Sequence, residues 1–286
     1  MSRHVAIVTD STAYLPPATL ERHRITVVPL TVVLEDRAWE EGTEISARSL
    51  AEALAHRRPV TTSRPGPETF AAAYRRVAAS GAESIVSLHL SSEVSGTHDA
   101  AVLGAREAPV PVHVVDTGMV AMALGFCALA AAEAVAAGRD TDEIVAAARA
   151  RAERTSAFFY VDTLDYLRRG GRIGAAHALI GSALAVKPLL RLADGRIEPL
   201  EKVRTASRAI ARLEEIAVEG AAAGRRGEER VDIAVHHLAA EDRAEALADR
   251  LRHRVPGLGD LHLSEVGAVI GAHTGPGLLG VVVSPR

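Results

Sequence analysis

The chain has 286 residues, 48% of them hydrophobic and 24% charged, with a formal net charge of −3. That length supports two domains or one large one with a substantial core, and that composition excludes intrinsic disorder. A slightly acidic balance gives no electrostatic footprint for nucleic acid or for an anionic membrane surface.

The first half alternates short β-branched runs with long alanine-rich segments. Residues 4–8, 25–34, 84–90 and 112–115 read as strands, and 46–56, 67–79, 96–107, 118–137 and 141–154 as helices. The alternation predicts a mainly parallel sheet with helices on both faces, where ligands bind beyond the carboxyl ends of the strands. The run 119–138 is long enough to suggest a membrane span, but it is mostly alanine and carries Glu133, so a buried amphipathic helix is expected and no membrane insertion. Cys127 lies in that run between Phe126 and Ala128 and reads as a small buried hydrophobe; as the single cysteine, it makes neither an intrachain disulfide nor a multi-thiolate metal centre. Val5 to Val8 follows the first residues with no apolar leader between, which reads as a cytoplasmic protein.

The second half has a different texture. Residues 157–161 open it, a glycine- and arginine-rich turn follows, and apolar runs at 187–192 and 196–200 flank Ala193-Asp194-Gly195-Arg196, a hairpin signal that predicts antiparallel pairing. A helix over 206–223, strands at 231–236 and 261–265, a buried helix or loop from Gly267 and a last strand complete it, with 224–230 read as a solvated loop. The change of texture near Arg154 predicts an N-terminal α/β domain at 1–155 and a smaller α/β domain at 156–286.

Several chemistries lack their motif. The only lysines, Lys187 and Lys202, do not follow glycine, so there is no P-loop, and neither His-Glu-x-x-His nor Gly-x-Ser-x-Gly occurs. Gly275, Gly277 and Gly280 match Gly-x-Gly-x-x-Gly, but that motif must open a helix, and Val281 to Val283 reads as a strand.

Two loops lead into helices with hydroxyl residues: Thr61, Thr62 and Ser63 before Arg64-Pro65-Gly66, and Ser91, Ser92 and Ser95 before Gly96 and Thr97. Hydroxyls there ordinarily cap a helix. A helix N-terminus also attracts anions, so two such loops in one sheet could converge on one ligand. Asp10 and Asp116 follow strands as catalytic candidates or loop-ordering groups, with no second acid nearby to build a metal site. The second half offers cations in Arg168, Arg169, Arg172 and Arg204, and it ends in five glycines around one histidine, His273.

In order along the chain, Thr9-Asp10-Ser11-Thr12, Thr61-Thr62-Ser63, Ser91-Ser92 with Ser95-Gly96-Thr97, Leu164-Asp-Tyr-Leu-Arg-Arg-Gly-Gly-Arg-Ile173, Lys187-Pro188, Lys202-Val-Arg-Thr205 and Gly271-Ala-His273-Thr-Gly-Pro-Gly277 resemble the DegV family of bacterial fatty-acid-binding proteins. The resemblance spans the chain. It implies two α/β domains with a long-chain fatty acid, such as palmitate or oleate, at their junction and no cofactor. It further implies a partner, the ATP-binding subunit of a fatty acid kinase, which makes the acyl phosphate, while the binding protein does no bond chemistry itself. On matching positions, Thr62 and Ser95 contact the carboxylate, Ser92, Gly96 and Thr97 lie nearby, His273 closes the site, and Arg172 and Arg204 face the partner or the phosphate. Arg64 and Gly66 stand where the family more often has glutamine and serine, and His98 and Asp99 where an aromatic and glutamine are usual.

Burying an acyl tail is worth roughly 0.8 kcal/mol per methylene, so the carboxylate must be paired if that gain is to survive. With aromatics at 3% of the chain, a tunnel lined by Ala, Val, Leu and Ile is expected. Two rival readings are an acyl hydrolase with Ser95 as nucleophile and His273 as base, and a lipid-responsive regulatory module acting through a partner.

Overall fold

A computed structural model describes residues 4–179, 187–224 and 229–286. The first half runs β1 (Val5–Asp10), α1 (Pro17–His23), β2 (Ile25–Val28), β3 (Thr31–Leu34), β4 (Arg37–Glu40), α2 (Ala47–Ala55), β5 (Val60–Ser63), α3 (Pro67–Ala79), β6 (Ser84–His89), α4 (Thr97–Ala105), β7 (Val112–Asp116), α5 (Met122–Ala136) and α6 (Thr141–Arg154). The second runs β8 (Ser156–Tyr160), α7 (Asp165–Arg169), β9 (Lys187–Ala193), β10 (Arg196–Val203), α8 (Ala206–Gly224), β11 (Val231–His237), α9 (Glu241–Arg254), β12 (Leu258–Glu265), α10 (Ala268–Thr274) and β13 (Leu279–Pro285).

The expected parallel sheet has the order β2-β1-β6-β7. Successive side chains on a strand point to opposite faces. Val8 and Ile85 therefore pack with Phe70 and Tyr74 of α3 and Ala101 of α4, whereas Ile7 and Val86 join Met122, Cys127, Ile144 and Ala148 of α5 and α6. The second half forms a sheet in the order β10-β9-β8-β13-β11-β12, antiparallel except for β11 with β12. One face of it, including Tyr160, Val231 and Val281, packs on α8 and α9. The other, with Ala157, Ala234 and Val282, belongs to the same core cluster as α5 and α6. The layers are thus α3/α4, parallel sheet, α5/α6, mixed sheet, α8/α9, with α5 and α6 touching strands of both sheets.

Several expectations need correction. The helix containing Cys127 is not amphipathic along its length: Met122 to Ala128 are all buried, because this half is clasped between two sheets, and only the far half reaches solvent, at Glu133 and Ala136. Burial pushes the Cys127 thiol up to about 12. Among the described residues no helix is long and apolar enough to cross a membrane. This helix also starts later than 118, after Ala121 at φ 55° and ψ −148°, a conformation that costs a side-chain-bearing residue on the order of 1–3 kcal/mol.

The run 25–34 is two strands. Pro29 has no N–H for a ladder, and after it the chain leaves the parallel sheet for a small antiparallel one, β4-β3-β5. That sheet takes in residues 60–63, expected as loop, and sets Thr62 opposite the buried Val32. The arginine- and glycine-rich stretch after β8 forms the short helix α7 and the turn at Gly170 and Gly171, and α1 and α9 are additions. Of the expected solvated loop at 224–230, residues 225–228 lie outside the described residues. The hairpin after β9 forms as expected, with Asp194 at φ 47° and Gly195 at φ 75°, the two left-handed residues of a type I′ turn. Its tip reaches the first half, where Ser91 Oγ donates to the Gly195 carbonyl at 2.7 Å and Arg196 meets Glu93 at 2.7 Å.

Candidate functional site

A cavity of about 600 Å³ takes its walls from both halves. Leu30, Val94, Val266, Ile270, Val281 and Val282 are among its apolar lining, and so are Phe158 and Phe159, which correct the expectation of an all-aliphatic tunnel. Its polar groups come from β5 and the loop after it (Thr62, Ser63, Arg64), the entrance to α4 (Ser95, Gly96), the turn after α7 (Arg172) and α10 (His273).

These polar residues form one cluster through their contacts. His273 Nε2 lies 2.8 Å from Thr62 Oγ1, and its Nδ1 is buried without a hydrogen-bond partner among the described residues. A Cβ on Gly170 would overlap that Nδ1, so the imidazole edge rests directly on the glycine backbone. Burial first, and the Arg172 cation second, hold the His273 pKa down to about 4, so the ring is neutral at pH 7. A buried N–H without an acceptor is rarer than a bare lone pair, which puts the proton on Nε2. Thr62 Oγ1 then accepts from His273 and keeps its own proton to donate.

Helix α10 is held at its start by the buried Glu41, which accepts from the Val269 N–H at 2.8 Å and from Ser11 Oγ at 2.5 Å. Burial raises the Glu41 carboxyl pKa. The imidazole is thus tied to the first half twice, through Thr62 and through the Glu41 cap.

The capping reading of the two hydroxyl loops fails. The N-caps of α3 and α4 are Gly66 and Gly96, and neither has a side-chain cap. Ser95 Oγ instead meets Thr97 Oγ1 at 2.9 Å. Both helix starts border the cavity, and each carries an acid in its first turn, Glu68 in α3 and Asp99 in α4, that complements its dipole. Arg172 donates through Nε to the Val94 carbonyl at 2.9 Å and through Nη1 to the Gly170 carbonyl at 2.6 Å. Arg64 Cζ lies 3.1 Å from where a Gly96 Cβ would sit.

Of the residues singled out in the sequence, Thr62, Ser95, Gly96, Arg172 and His273 therefore meet at one cavity. Thr97 is buried behind Ser95 and touches it without lining the cavity. Ser92 is exposed, with its N–H 3.3 Å from both Asp116 carboxylate oxygens, and Arg204 is exposed beside the end of β10; neither lines the cavity. His98 and Asp99 pair with each other at 3.5 Å. Asp10 and Asp116 order loops: Asp10 accepts from Thr12, His89 and the Leu90 N–H, and Asp116 from the Ser92 and Gly118 N–H groups.

The sequence marks Arg64 only as a departure from the family pattern, and it gives no sign of His236, which lines the cavity with both nitrogens engaged, accepting from the Met122 N–H at 3.2 Å and meeting Ser264 Oγ at 3.0 Å. A Ser-His nucleophile pair is not assembled. One imidazole nitrogen faces Thr62, the other the Gly170 backbone, and among the described residues no carboxylate orients the ring.

Comparison with known proteins agrees with this architecture. Residues 4–286 match the family model described as "Uncharacterised protein, DegV family". A DegV domain-containing protein of Streptomyces coelicolor is 79% identical over 286 residues, 100% of both chains. The crystal structure of DegV, a fatty acid binding protein from Bacillus subtilis, aligns with a TM-score of 0.91 at 34% identity over 100% of each chain. A fatty-acid-binding DegV family protein from Thermus thermophilus aligns at 0.90 and 34% identity, over 99% of this chain and 100% of that one. With the family model, the relative and the solved structures all matching over essentially the full length, this chain belongs to the DegV family.

Proposed function

We propose that this protein binds one long-chain fatty acid, with the tail in the cavity and the carboxylate among Thr62, Ser95, the start of α4 and Arg172. The observation that carries this reading is the union in one cavity of an apolar wall with a cluster of hydroxyl and guanidinium donors around a neutral histidine. A sixteen-carbon tail grosses on the order of 10 kcal/mol of apolar transfer before association costs, and the donors offset desolvation of the carboxylate. The solved relatives described as fatty-acid-binding support the same reading.

The finer role is presentation of that carboxylate in the cytoplasm to the ATP-binding subunit of a fatty acid kinase, which forms the acyl phosphate; this protein breaks no bond. Arg204, exposed just past the end of β10, and the exposed face of Arg172 are then partner-facing. The chain divides into domains at 1–155 and 156–286 with the lipid at their junction, and α5 and α6 serve both.

Mass spectrometry of an organic extract from the denatured protein tests the binding role, with about one fatty acid per chain expected. Ser95→Ala is expected to weaken palmitate roughly tenfold, the cost of one hydrogen bond to a charged group. An empty extract, together with failure to take up palmitate or oleate, would remove the reading.

A further inference from the structure

We infer that Arg64 is a headgroup-specificity residue which, with Arg172, fits this cavity to a doubly charged phosphate head on a single alkyl chain as well as to a carboxylate. The inference rests on the reading that the acyl head lies among Thr62, Ser95 and Arg172.

The geometry centres on three consecutive residues. Arg172 is anchored to the Val94 carbonyl, and the Arg64 guanidinium lies over the Gly96 Cα. Ser95 is between them in sequence, so the two cations meet the backbone on either side of it, and Arg64, Arg172 and Ser95 all line the cavity. The guanidiniums differ in what else they do. Arg172 spends Nε and Nη1 on backbone carbonyls, which fixes it as part of the wall. No hydrogen bond or ion pair within the described residues engages the Arg64 guanidinium, and the side chain is exposed. A guanidinium is a rigid fork of donors suited to the oxygens of carboxylate and phosphate.

The supply of charge exceeds what a fatty acid needs. A carboxylate carries one negative charge, and the Thr62 and Ser95 hydroxyls, the start of α4 and Arg172 already serve it. A phosphate monoester carries a charge of about −1.5 to −2 at pH 7 and three acceptor oxygens. Arg64 supplies the second positive charge and the further donors that such a head requires. Glutamine at this position would offer hydrogen bonds without charge.

The test uses three sixteen-carbon ligands that differ only in the head: palmitate, hexadecyl phosphate and hexadecan-1-ol. Dissociation constants are measured for the full-length protein and for Arg64→Gln and Arg64→Lys, at low and at high salt. The unmodified protein is expected to bind hexadecyl phosphate at least as tightly as palmitate. In Arg64→Gln the phosphate is expected to weaken roughly tenfold, palmitate by about threefold or less and the alcohol not at all, with Arg64→Lys between, as a charge-assisted contact at an exposed residue requires. Salt should narrow the gap between the unmodified protein and Arg64→Gln. Because Arg64 has no side-chain partner among the described residues, all variants are expected to melt together. Tight palmitate with hexadecyl phosphate rejected, or equal losses for all three ligands in Arg64→Gln, would overturn the inference and leave fatty acid binding in place. Failure of the unmodified protein to bind palmitate would remove both.

Discussion

Gly280→Leu is expected to weaken binding of a sixteen-carbon fatty acid about 100-fold while a twelve-carbon acid binds nearly as before. Gly280 sits on β13 opposite Phe159 of β8 and His236 of β11, and all three line the cavity. A Cβ at this glycine would meet nothing closer than 3.7 Å. The strand therefore accepts a side chain, and because neighbours across a pleated sheet share a face, that side chain enters the space proposed for the tail. Leucine displaces three to four methylenes, at roughly 0.8 kcal/mol each, which comes to about 3 kcal/mol or 100-fold. Affinities across a series of acids from ten to eighteen carbons provide the readout. A loss independent of chain length, or none, would mean that the acyl tail does not run along β13.

The second large effect is a loss of stability in mild acid. Burial depresses His236 to about 4, with smaller repulsions from His237 and His262, and His273 is likewise near 4. An ordinary histidine titrates near 6.5, so between that value and about 4 the unfolded chain binds protons that the folded one refuses. The contribution is complete above pH 6.5 and is lost on going down through that window, at about 3 kcal/mol for each ring over the whole of it. The hydrogen bonds give the same sign. Nε2 of His236 accepts from the Met122 N–H, and a protonated ring would set one N–H against another at the start of α5.

Two carboxylates modify the profile. Burial raises Glu41, despite hydrogen bonds from Ser11 and the Val269 N–H that pull it down, so the folded state gains from acid there and offsets part of the loss. Burial would raise Asp232 too, but hydrogen bonds from Arg286, the Asp260 N–H and Arg151 overcome it and lower the pKa, so its contribution persists until pH falls below the ordinary carboxylate range. Urea midpoints at pH 7, 5.5 and 4.5 should fall progressively, and His273→Asn should flatten the slope. A level profile would contradict the assignment of two buried neutral imidazoles.

Much of the fold is readable in the sequence because period and burial agree. The central parallel strands, β1 and β6, are apolar runs buried on both faces, and α3 and α6 begin and end where their apolar spacing does. What escaped is decided elsewhere in the molecule. Val60 to Ser63 has a polar composition, alternates between half-buried and exposed, and becomes a strand only because β3 pairs with it. Pro29 shows that the ladder must stop but not that the chain enters another sheet. The α9 stripe of Ala244, Leu247, Ala248 and Leu251 is present in the sequence, thinly, among charged residues. At the site, the hydroxyl loops and His273 stand out by residue type. The part of Arg64 depends on its lying over Gly96, a contact between segments 32 residues apart that no local pattern encodes.

The shared middle layer limits how this molecule can move. A clamshell opening between the sheets would bring Met122, Leu124, Phe126 and their neighbours on α5 into water, all of them essentially inaccessible in the closed form. At roughly 1.5–3 kcal/mol for each large apolar side chain, a few of them exhaust much of the 5–15 kcal/mol that holds a typical domain together. Exchange of the proposed fatty acid is therefore expected through local yielding of the cavity-lining segments at Thr62 to Gly66 and Val94 to Gly96, with the sheets fixed. Small-angle scattering should accordingly give the same radius of gyration for the lipid-loaded and lipid-stripped protein, and a clear expansion on stripping would show that the layers part.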